Sequence, residues 1–219
     1  MERVTVDDVA SDAAEAGVDR HRLAERLGAT GLALTRYRVA PGESLPAGLH
    51  AHADQEEVFY VLDGTVAFET LPAVSDENDA SDGNGASDGN DASDDDAEED
   101  GHVVEAGGAI RFAPGEFQSG RNAGTSPLDV LAVGAPRDSI DLRFPTTCPD
   151  CGRGEMRLVT DDGGPQFVCP ACETTRTPTA CPDCGGDDLR FRRGEEVRTV
   201  VRCSDCETAF ETPPVEGEW

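Results

Sequence analysis

Three side chains that can bind a metal lie close together in the sequence: His50, His52 and Glu57. Residues two positions apart on an extended strand point to the same face, so the two histidines project together while Ala51 points away. Glu57 begins the next apolar run, and if that strand pairs with the first, its carboxylate joins the two imidazoles. Two histidines and one carboxylate form a face that leaves coordination positions open for a substrate or ligand.

The eight cysteines form four Cys-x-x-Cys pairs in the last third of the chain, arranged in two blocks. The first block contains Cys148, Cys151, Cys169 and Cys172, and the second contains Cys181, Cys184, Cys203 and Cys206. The blocks align as a repeat, each closing with Cys-Glu-Thr, which favours pairing within a block. Each block predicts a structural four-thiolate zinc ribbon. Zinc is favoured over rubredoxin-like iron because the hairpins show little aromatic packing.

The charge of the chain is strongly negative, with 45 acidic residues against 18 basic residues and a net charge of -27. Every basic residue is arginine. This composition resembles that of proteins from salt-accumulating halophiles, where molar salt shortens the Debye length to roughly 3 Å and screens the repulsion. The charge therefore indicates habitat more than partner. An acidic protein that mimics nucleic acid or binds basic partners is the alternative interpretation.

The compartment is expected to be the cytoplasm. The first residues lack a basic, then apolar, export signal, and no stretch approaches the roughly 20 apolar residues of a membrane span. Cysteines grouped as Cys-x-x-Cys pairs are typical of metal sites in a reducing compartment.

Residues 75–101 form a low-complexity segment with 12 acidic residues and no basic residue. Such a segment buries too little apolar surface to offset its ordering entropy, so it is predicted to be disordered. Short apolar runs continue on both sides of it, which indicates an insertion within one β-rich domain.

Those apolar runs, separated by Pro-Gly, Asp-Gly and Gly-Gly pairs, predict an antiparallel sandwich or barrel. The Asp63-Gly64 pair predicts a type I′ hairpin between two strands. Residues 18–28 predict a short helix with Leu23 and Leu27 on one side and Gly28 as its C-terminal stop.

The first half of the chain resembles the cupin superfamily, and in particular a small single-domain cupin of haloarchaeal type. The first cupin motif matches at Gly42, His50, His52, Glu57 and Gly64, with two extra residues between Gly42 and His50. The second motif matches at Gly108, Pro114 and Asn122 but contains no histidine, and Gln118 falls at the usual histidine position. His21 and His102 do not fall in a register that could replace it.

The resemblance implies an all-β jelly-roll barrel whose metal ligands are His50, His52, Glu57 and Gln118. An amide oxygen is a harder and weaker ligand than an imidazole, so its presence lowers the metal affinity and shifts the preference away from zinc and copper. The expected occupant is a divalent ion of iron, manganese, nickel or zinc. The alternative is a degenerate barrel in which the histidines form hydrogen bonds with Glu57 and bind no metal.

The strand that follows Glu57 is apolar on both faces. Alternation places Phe59 and Val61 inside the barrel and Val58, Tyr60 and Leu62 outside. Because an apolar outer face needs a cover, a homodimer through the barrel is expected, as is common among cupins.

The predicted organisation is an N-terminal segment at 1–30, a cupin barrel at 31–144 with the insertion at 75–101, a first zinc ribbon at 145–178, and a second ribbon with a tail at 179–219. The leading hypothesis is a metal-binding module that binds or senses a small molecule, with structural ribbons that mediate assembly or docking to a protein.

Two other function classes stay open. The first is a metal-dependent enzyme of dioxygenase or sugar isomerase type, for which Tyr37, Tyr60 and Arg111 are candidate polar groups. The second is a zinc-ribbon adaptor for protein or nucleic acid that uses Arg192 and Arg193. Nucleic-acid binding is disfavoured because acidic residues offset the arginines of the second block.

Overall fold

The computed structural model describes residues 1–12, 17–71, 101–161, 163–194 and 199–219. The predicted acidic insertion lies outside these residues except for Gly101. The described elements are nearly all β-strands, which confirms the all-β prediction, and no helix among them has the length and apolarity that a bilayer crossing requires. They are β1 (Val18–Arg22), α1 (Leu23–Leu27), β2 (Ala33–Val39), β3 (Ala51–His52), β4 (Glu56–Asp63), β5 (Thr65–Leu71), β6 (His102–Glu105), β7 (Ala109–Phe112), β8 (Phe117–Asn122), β9 (Leu128–Ala135), β10 (Leu142–Phe144), β11 (Met156–Asp161), β12 (Gly164–Val168), β13 (Thr175–Arg176), β14 (Leu189–Arg193), β15 (Thr199–Cys203) and β16 (Ala209–Phe210), with a 3-10 turn at Val6–Asp8.

The barrel consists of two antiparallel sheets that enclose one apolar core. The large sheet has the order β1-β2-β9-β4-β7 and the small sheet has the order β6-β5-β8. Burial alternates along β9, as expected for a strand with one face toward the core. Phe59 of β4 and Phe68 of β5 meet across the interior with ring centroids 4.9 Å apart, and Phe112 of β7 packs on both. Aromatic contact between the sheets therefore fills the centre of the barrel.

The turn at Asp63-Gly64 connects the two sheets, and the type I′ hairpin prediction is wrong. β4 pairs with β7 and β9, whereas β5 pairs with β6 and β8. A register shift between Val61 and Asp63 irregularly ends β4. Gly64 has φ +88°, and a Cβ there would lie 3.0 Å from Leu128 Cα. The glycine is required because the chain crosses close to β9 and not because it folds back on itself.

The barrel begins earlier than the predicted boundary at residue 31. Val18 is 3% exposed and β1 pairs with β2 along its whole length, so residues 18–22 form a strand. The helix is confined to Leu23–Leu27 and ends at Gly28 in the left-handed conformation, as predicted. Pairing with β2 overrides the weak helical pattern of the preceding residues.

The first zinc module shares a sheet with the barrel. This sheet has the order β13-β12-β11-β10-β3, so β10 lies between β3, which carries His52, and β11 of the module. The second module forms the sheet β14-β15-β16, and it bonds to the barrel through Leu49 N, which donates to Phe191 O at 2.9 Å. Both zinc modules therefore contact the barrel directly.

A second apolar core joins the barrel to both modules. It contains Leu49, Ala51 and Phe117 from the barrel, Phe144, Cys148, Met156, Phe167 and Cys169 from β10 and the first module, and Phe191 and Val201 from the second. Phe144 stacks on Phe191 with ring centroids 4.8 Å apart, and Trp219 packs on Phe167. The expectation that the cysteine hairpins show little aromatic packing is wrong. Each segment of the sequence supplies only one or two aromatic rings, but these rings pack against one another in the folded protein.

Candidate metal centre

The three predicted metal ligands converge inside the barrel. The ligand atoms of His50, His52 and Glu57 all lie within 4.8 Å of one another. The expected pairing of their two strands does not occur, since β3 pairs with β10 and β4 pairs with β7 and β9. The histidines and the glutamate therefore meet across the barrel interior from different sheets.

Gln118 comes to the same place from β8 of the small sheet. It forms an isolated antiparallel bridge with His50, in which His50 N donates to Gln118 O at 3.1 Å and Gln118 N donates to His50 O at 2.8 Å. Its side-chain Nε2 donates to Glu57 Oε2 at 3.0 Å. The contact that the structure gives this side chain is thus with the carboxylate.

His50 presents one defined nitrogen to the interior. Its Nδ1 lies 2.8 Å from Gly48 O, and His50 is 8% exposed. A carbonyl oxygen only accepts, so Nδ1 carries the proton and Nε2 keeps its lone pair. This backbone contact selects the tautomer that a metal ligand requires.

His52 is oriented by two residues that the sequence analysis did not select. Its Nδ1 lies 3.0 Å from Ser139 Oγ, and Ser139 Oγ donates to Asp54 Oδ1 at 2.6 Å. Because the single hydroxyl proton goes to the carboxylate, the serine oxygen accepts from His52 Nδ1, which leaves Nε2 with its lone pair. Asp54 was visible beside the motif, but Ser139 lies 87 residues from His52 and no local pattern marks it.

The local electrostatics keep both imidazoles neutral. Burial, with a smaller contribution from the neighbouring His52, lowers the pKa of His50 to about 4, and the hydrogen bond with Gly48 acts in the opposite direction. Burial also lowers the pKa of His52, with an opposing effect from Asp54. Burial raises the pKa of Glu57 to about 7, while the hydrogen bond from Gln118 acts in the opposite direction. A cation in the site would compensate the desolvation of this carboxylate.

The metal-free alternative predicted hydrogen bonds from the histidines to Glu57. In the described part of the chain, the hydrogen-bond partners are Gly48 for His50, Ser139 for His52 and Gln118 for Glu57. Both Nε2 atoms are left for another ligand. The donor set and its tautomers therefore fit a divalent metal.

The structure separates the three candidate polar groups of the enzyme hypothesis. Tyr37 is partly buried against the barrel core, and burial together with the Glu57 charge raises its pKa. Tyr60 is 42% exposed on the outer face, and Arg111 pairs there with Glu56 at 2.8 Å. Only Tyr37 lies near the predicted metal ligands.

The two cysteine clusters have the dimensions of tetrahedral sites. Sγ atoms approach to 3.7 and 3.5 Å in the first cluster and to 3.7 and 3.6 Å in the second. A tetrahedron with Zn–S bonds of roughly 2.3 Å has edges of about 3.8 Å. Sulfur atoms in a disulfide would lie only about 2.05 Å apart. Pairing within each block is confirmed.

Each Cys-x-x-Cys turn ends in a residue with left-handed φ. These residues are Gly152, Glu173, Gly185 and Glu207, with φ between 61° and 78°. In each turn, the N–H of that residue donates to the carbonyl of the first cysteine. The repeat seen in the sequence therefore corresponds to four similar thiolate turns that can hold two structural zinc ions.

The chain was compared with protein families, curated proteins and solved structures, and only solved structures of similar fold were found. No protein-family model and no curated protein matches the chain. A cupin-superfamily sugar phosphate isomerase from Silicibacter pomeroyi is similar in structure, with a TM-score of 0.51 and 16% identity over 78% of this chain and 95% of that chain. A polyketide cyclase from Streptomyces resistomycificus has a TM-score of 0.47 and 21% identity over 68% and 89% of the two chains. A predicted oxalate decarboxylase from Thermotoga maritima has a TM-score of 0.43 and 20% identity over 62% and 99%. With the two cysteine clusters, the fold is a cupin jelly-roll barrel followed by two zinc-ribbon modules.

Proposed function

We propose that this protein is a metal-binding cupin that binds a small molecule at the site formed by His50, His52 and Glu57. The observation that carries the proposal is the state of the two imidazoles. Both Nδ1 atoms are engaged with oxygen partners, so both Nε2 lone pairs are available beside the Glu57 carboxylate. Two neutral imidazoles and one carboxylate leave open coordination positions for an oxygen-bearing ligand.

The residues divide into ligands and positioning groups. His50, His52 and Glu57 would hold a divalent iron, manganese, nickel or zinc ion, and Gln118 completes the set by contact with Glu57. Ser139 and Asp54 fix the His52 ring. When bound, the metal supplies Lewis acidity toward an oxygen of the small molecule.

A cavity of about 300 Å³ borders Tyr37, and none of the three proposed metal ligands lines it. Arg20, Arg22 and Thr35 line it together with Tyr37. The Arg20 Nε atom is buried and has no hydrogen-bond partner within the described residues. Glu25 and Asp138 also line the cavity, so its charges are mixed and it suits a polar small molecule.

The zinc modules are proposed to support this site from outside the barrel. Along residues 49–52, Leu49 and Ala51 belong to the core shared with the modules, whereas His50 and His52 belong to the metal site. One face of this short segment therefore packs against the modules, and the other face carries the two histidines. Assembly within the chain is the role that this packing favours for the ribbons.

Metal analysis of the full-length protein tests the proposed site. We expect a third metal equivalent besides the two cysteine-bound ions, and we expect His50→Ala to lose it while keeping those two. His21→Ala is the matched control, since His21 contacts Val9 O and lies outside the site. An equal metal content in wild-type protein and His50→Ala would contradict the proposal.

A metal-dependent enzyme is the second candidate function, and the position of Tyr37 is the observation that favours it. A phenol that interacts electrostatically with Glu57 could give a proton to a bound substrate. The sugar phosphate isomerase of similar fold makes phosphorylated sugars a first substrate class to test. Tyr37→Phe should keep the metal and lose turnover, and turnover that survives His50→Ala would exclude a metal-dependent reaction at this site.

A further inference from the structure

A second polar cavity lies outside the barrel, between the small sheet and the second zinc module. Its volume is about 250 Å³. Ser44, Ser119 and Arg121 line it from the barrel, and Arg192 and Arg193 of β14 line it from the module. Side chains alternate along β8, so Ser119 and Arg121 point away from the barrel interior to which Gln118 points. This cavity is therefore distinct from the candidate metal centre.

Three guanidinium groups converge here in a protein whose net charge is -27. Within the described ranges, neither Arg121 nor Arg193 forms a side-chain ion pair, whereas Arg190 on the same strand pairs with Asp188 at 2.8 Å. One carboxylate, that of Glu69, also lines the cavity, and its Oε1 accepts from the backbone N of Arg193 at 2.8 Å. The charges of Arg121 and Arg193 together exceed what this one carboxylate can offset.

The hydroxyl of Ser119 is held in place between the barrel and the second zinc module. Ser119 is 6% exposed, and its Oγ accepts from Arg192 Nη1 at 2.8 Å. No acceptor for its own proton is found in the described part of the chain, so that proton is available to a ligand oxygen. A buried hydroxyl that donates beside guanidinium groups is complementary to an oxyanion.

We propose that this cavity binds the phosphate group of a small molecule. Guanidinium groups bind phosphate oxygens through paired N–H donors, and the phosphate charge balances Arg121 and Arg193. The volume accommodates a phosphate with a small attached group. Because the barrel and β14 both supply donors, the bound anion also stabilises the docking of the second module on the barrel.

Calorimetric titration of the zinc-loaded full-length protein at constant ionic strength tests the proposal. The probes are inorganic phosphate, glucose 6-phosphate and glucose. We expect heat of binding with phosphate or glucose 6-phosphate and none with glucose, and the stronger of the two phosphates identifies whether the free ion or the ester is preferred. The same ligand should raise the melting temperature of the protein.

Two arginine variants locate the site. Arg121→Gln and Arg193→Gln should each weaken phosphate binding about tenfold or more, the cost of one charge-assisted contact. Arg111→Gln on the outer face of the large sheet is the charge-matched control and should bind normally. His50→Ala should also bind normally, so a failure of the proposed metal function does not affect this test.

Three results would overturn the proposal. They are an unchanged affinity in both arginine variants, an equal loss in Arg111→Gln, and no heat with either phosphate. Preferential binding of a single-stranded oligonucleotide that displaces phosphate would instead assign these arginines to a nucleic-acid surface and would also refute it.

Discussion

Gln118 Nε2 donates to Glu57 Oε2 at 3.0 Å, which links the small sheet to the large sheet at the metal centre. One carboxylate oxygen is therefore held by the amide. The other oxygen is left for a cation. This contact makes Gln118 a positioning group for Glu57.

Substitution of Gln118 should change metal affinity without unfolding the protein. We expect Gln118→Ala to weaken binding of the third metal about 10- to 100-fold, the usual effect of removing a group that orients a metal ligand. Gln118→His should restore binding and shift the preference toward zinc or nickel, because it adds an imidazole. Competition titration with a chromogenic chelator measures both.

The control for this prediction is Gln166→Ala on β12 of the first zinc module, which should bind the third metal normally. Equal affinity in wild-type protein and Gln118→Ala would show that the amide neither binds the metal nor positions Glu57.

The Asp54–Ser139–His52 chain predicts a second effect on metal affinity. Ser139→Ala removes the acceptor of His52 Nδ1–H, so the ring loses both its orientation and its fixed tautomer. We expect about 10- to 100-fold weaker binding of the third metal, with normal metal content in the cysteine sites. Ser126→Ala, at an exposed serine in the turn before β9, is the matched control. Unchanged affinity in Ser139→Ala would remove the serine from the site.

Loss of the first zinc should disturb the barrel site at a distance. Cys172→Ser removes one exposed thiolate ligand while leaving the buried core atoms in place. Since β10 pairs with both β11 and β3, we expect faster amide exchange over residues 49–52 and lower occupancy of the third metal.

Cys206→Ser in the second module is the comparison for this prediction. That module reaches the same segment mainly through the bond from Leu49 N to Phe191 O and the packing of Phe191, so a smaller effect is expected. If Cys172→Ser left the occupancy of the third metal unchanged, the modules would not support the site.

The outer face of β4 predicts a homodimer through the barrel. Tyr60 and Leu62 are 42% and 44% exposed on this face, while Phe59 and Val61, which alternate with them, are buried. We expect Tyr60→Glu and Leu62→Glu to convert a dimer to a monomer, because each places a charge in an apolar contact. Ile140→Glu, at a residue 84% exposed elsewhere, should leave the mass unchanged. Light scattering after size exclusion gives the mass, and a monomeric wild-type protein would refute the prediction.

Local spacing was sufficient to predict the metal-binding groups. Two histidines separated by one residue share a strand face, and a Cys-x-x-Cys turn points two thiolates to one centre, so these patterns carry their geometry with them. The alternation of Phe59 and Val61 with Tyr60 and Leu62 likewise predicted which side of β4 is buried. The structure confirms that these groups converge and that Phe59 and Val61 are buried.

Predictions that depended on strand partners were less reliable. The Asp63-Gly64 signal is the same for a hairpin and for a crossover between sheets, and the close approach of Gly64 to Leu128 was not visible in the sequence. The prediction of a helix over residues 18–28 was wrong for residues 18–22, because pairing with β2 outweighs a weak local helix propensity.

The sequence by itself determined which groups can bind metals, how the cysteines divide into two sites, and which faces of the strands are apolar. Only the tertiary structure decided that Glu57 reaches the histidines across the barrel, that Ser139 orients His52, and that both zinc modules pack behind the strand that carries the ligands. The reason is physical: side-chain direction follows from local backbone geometry, whereas strand partners are selected by burial summed over the whole chain.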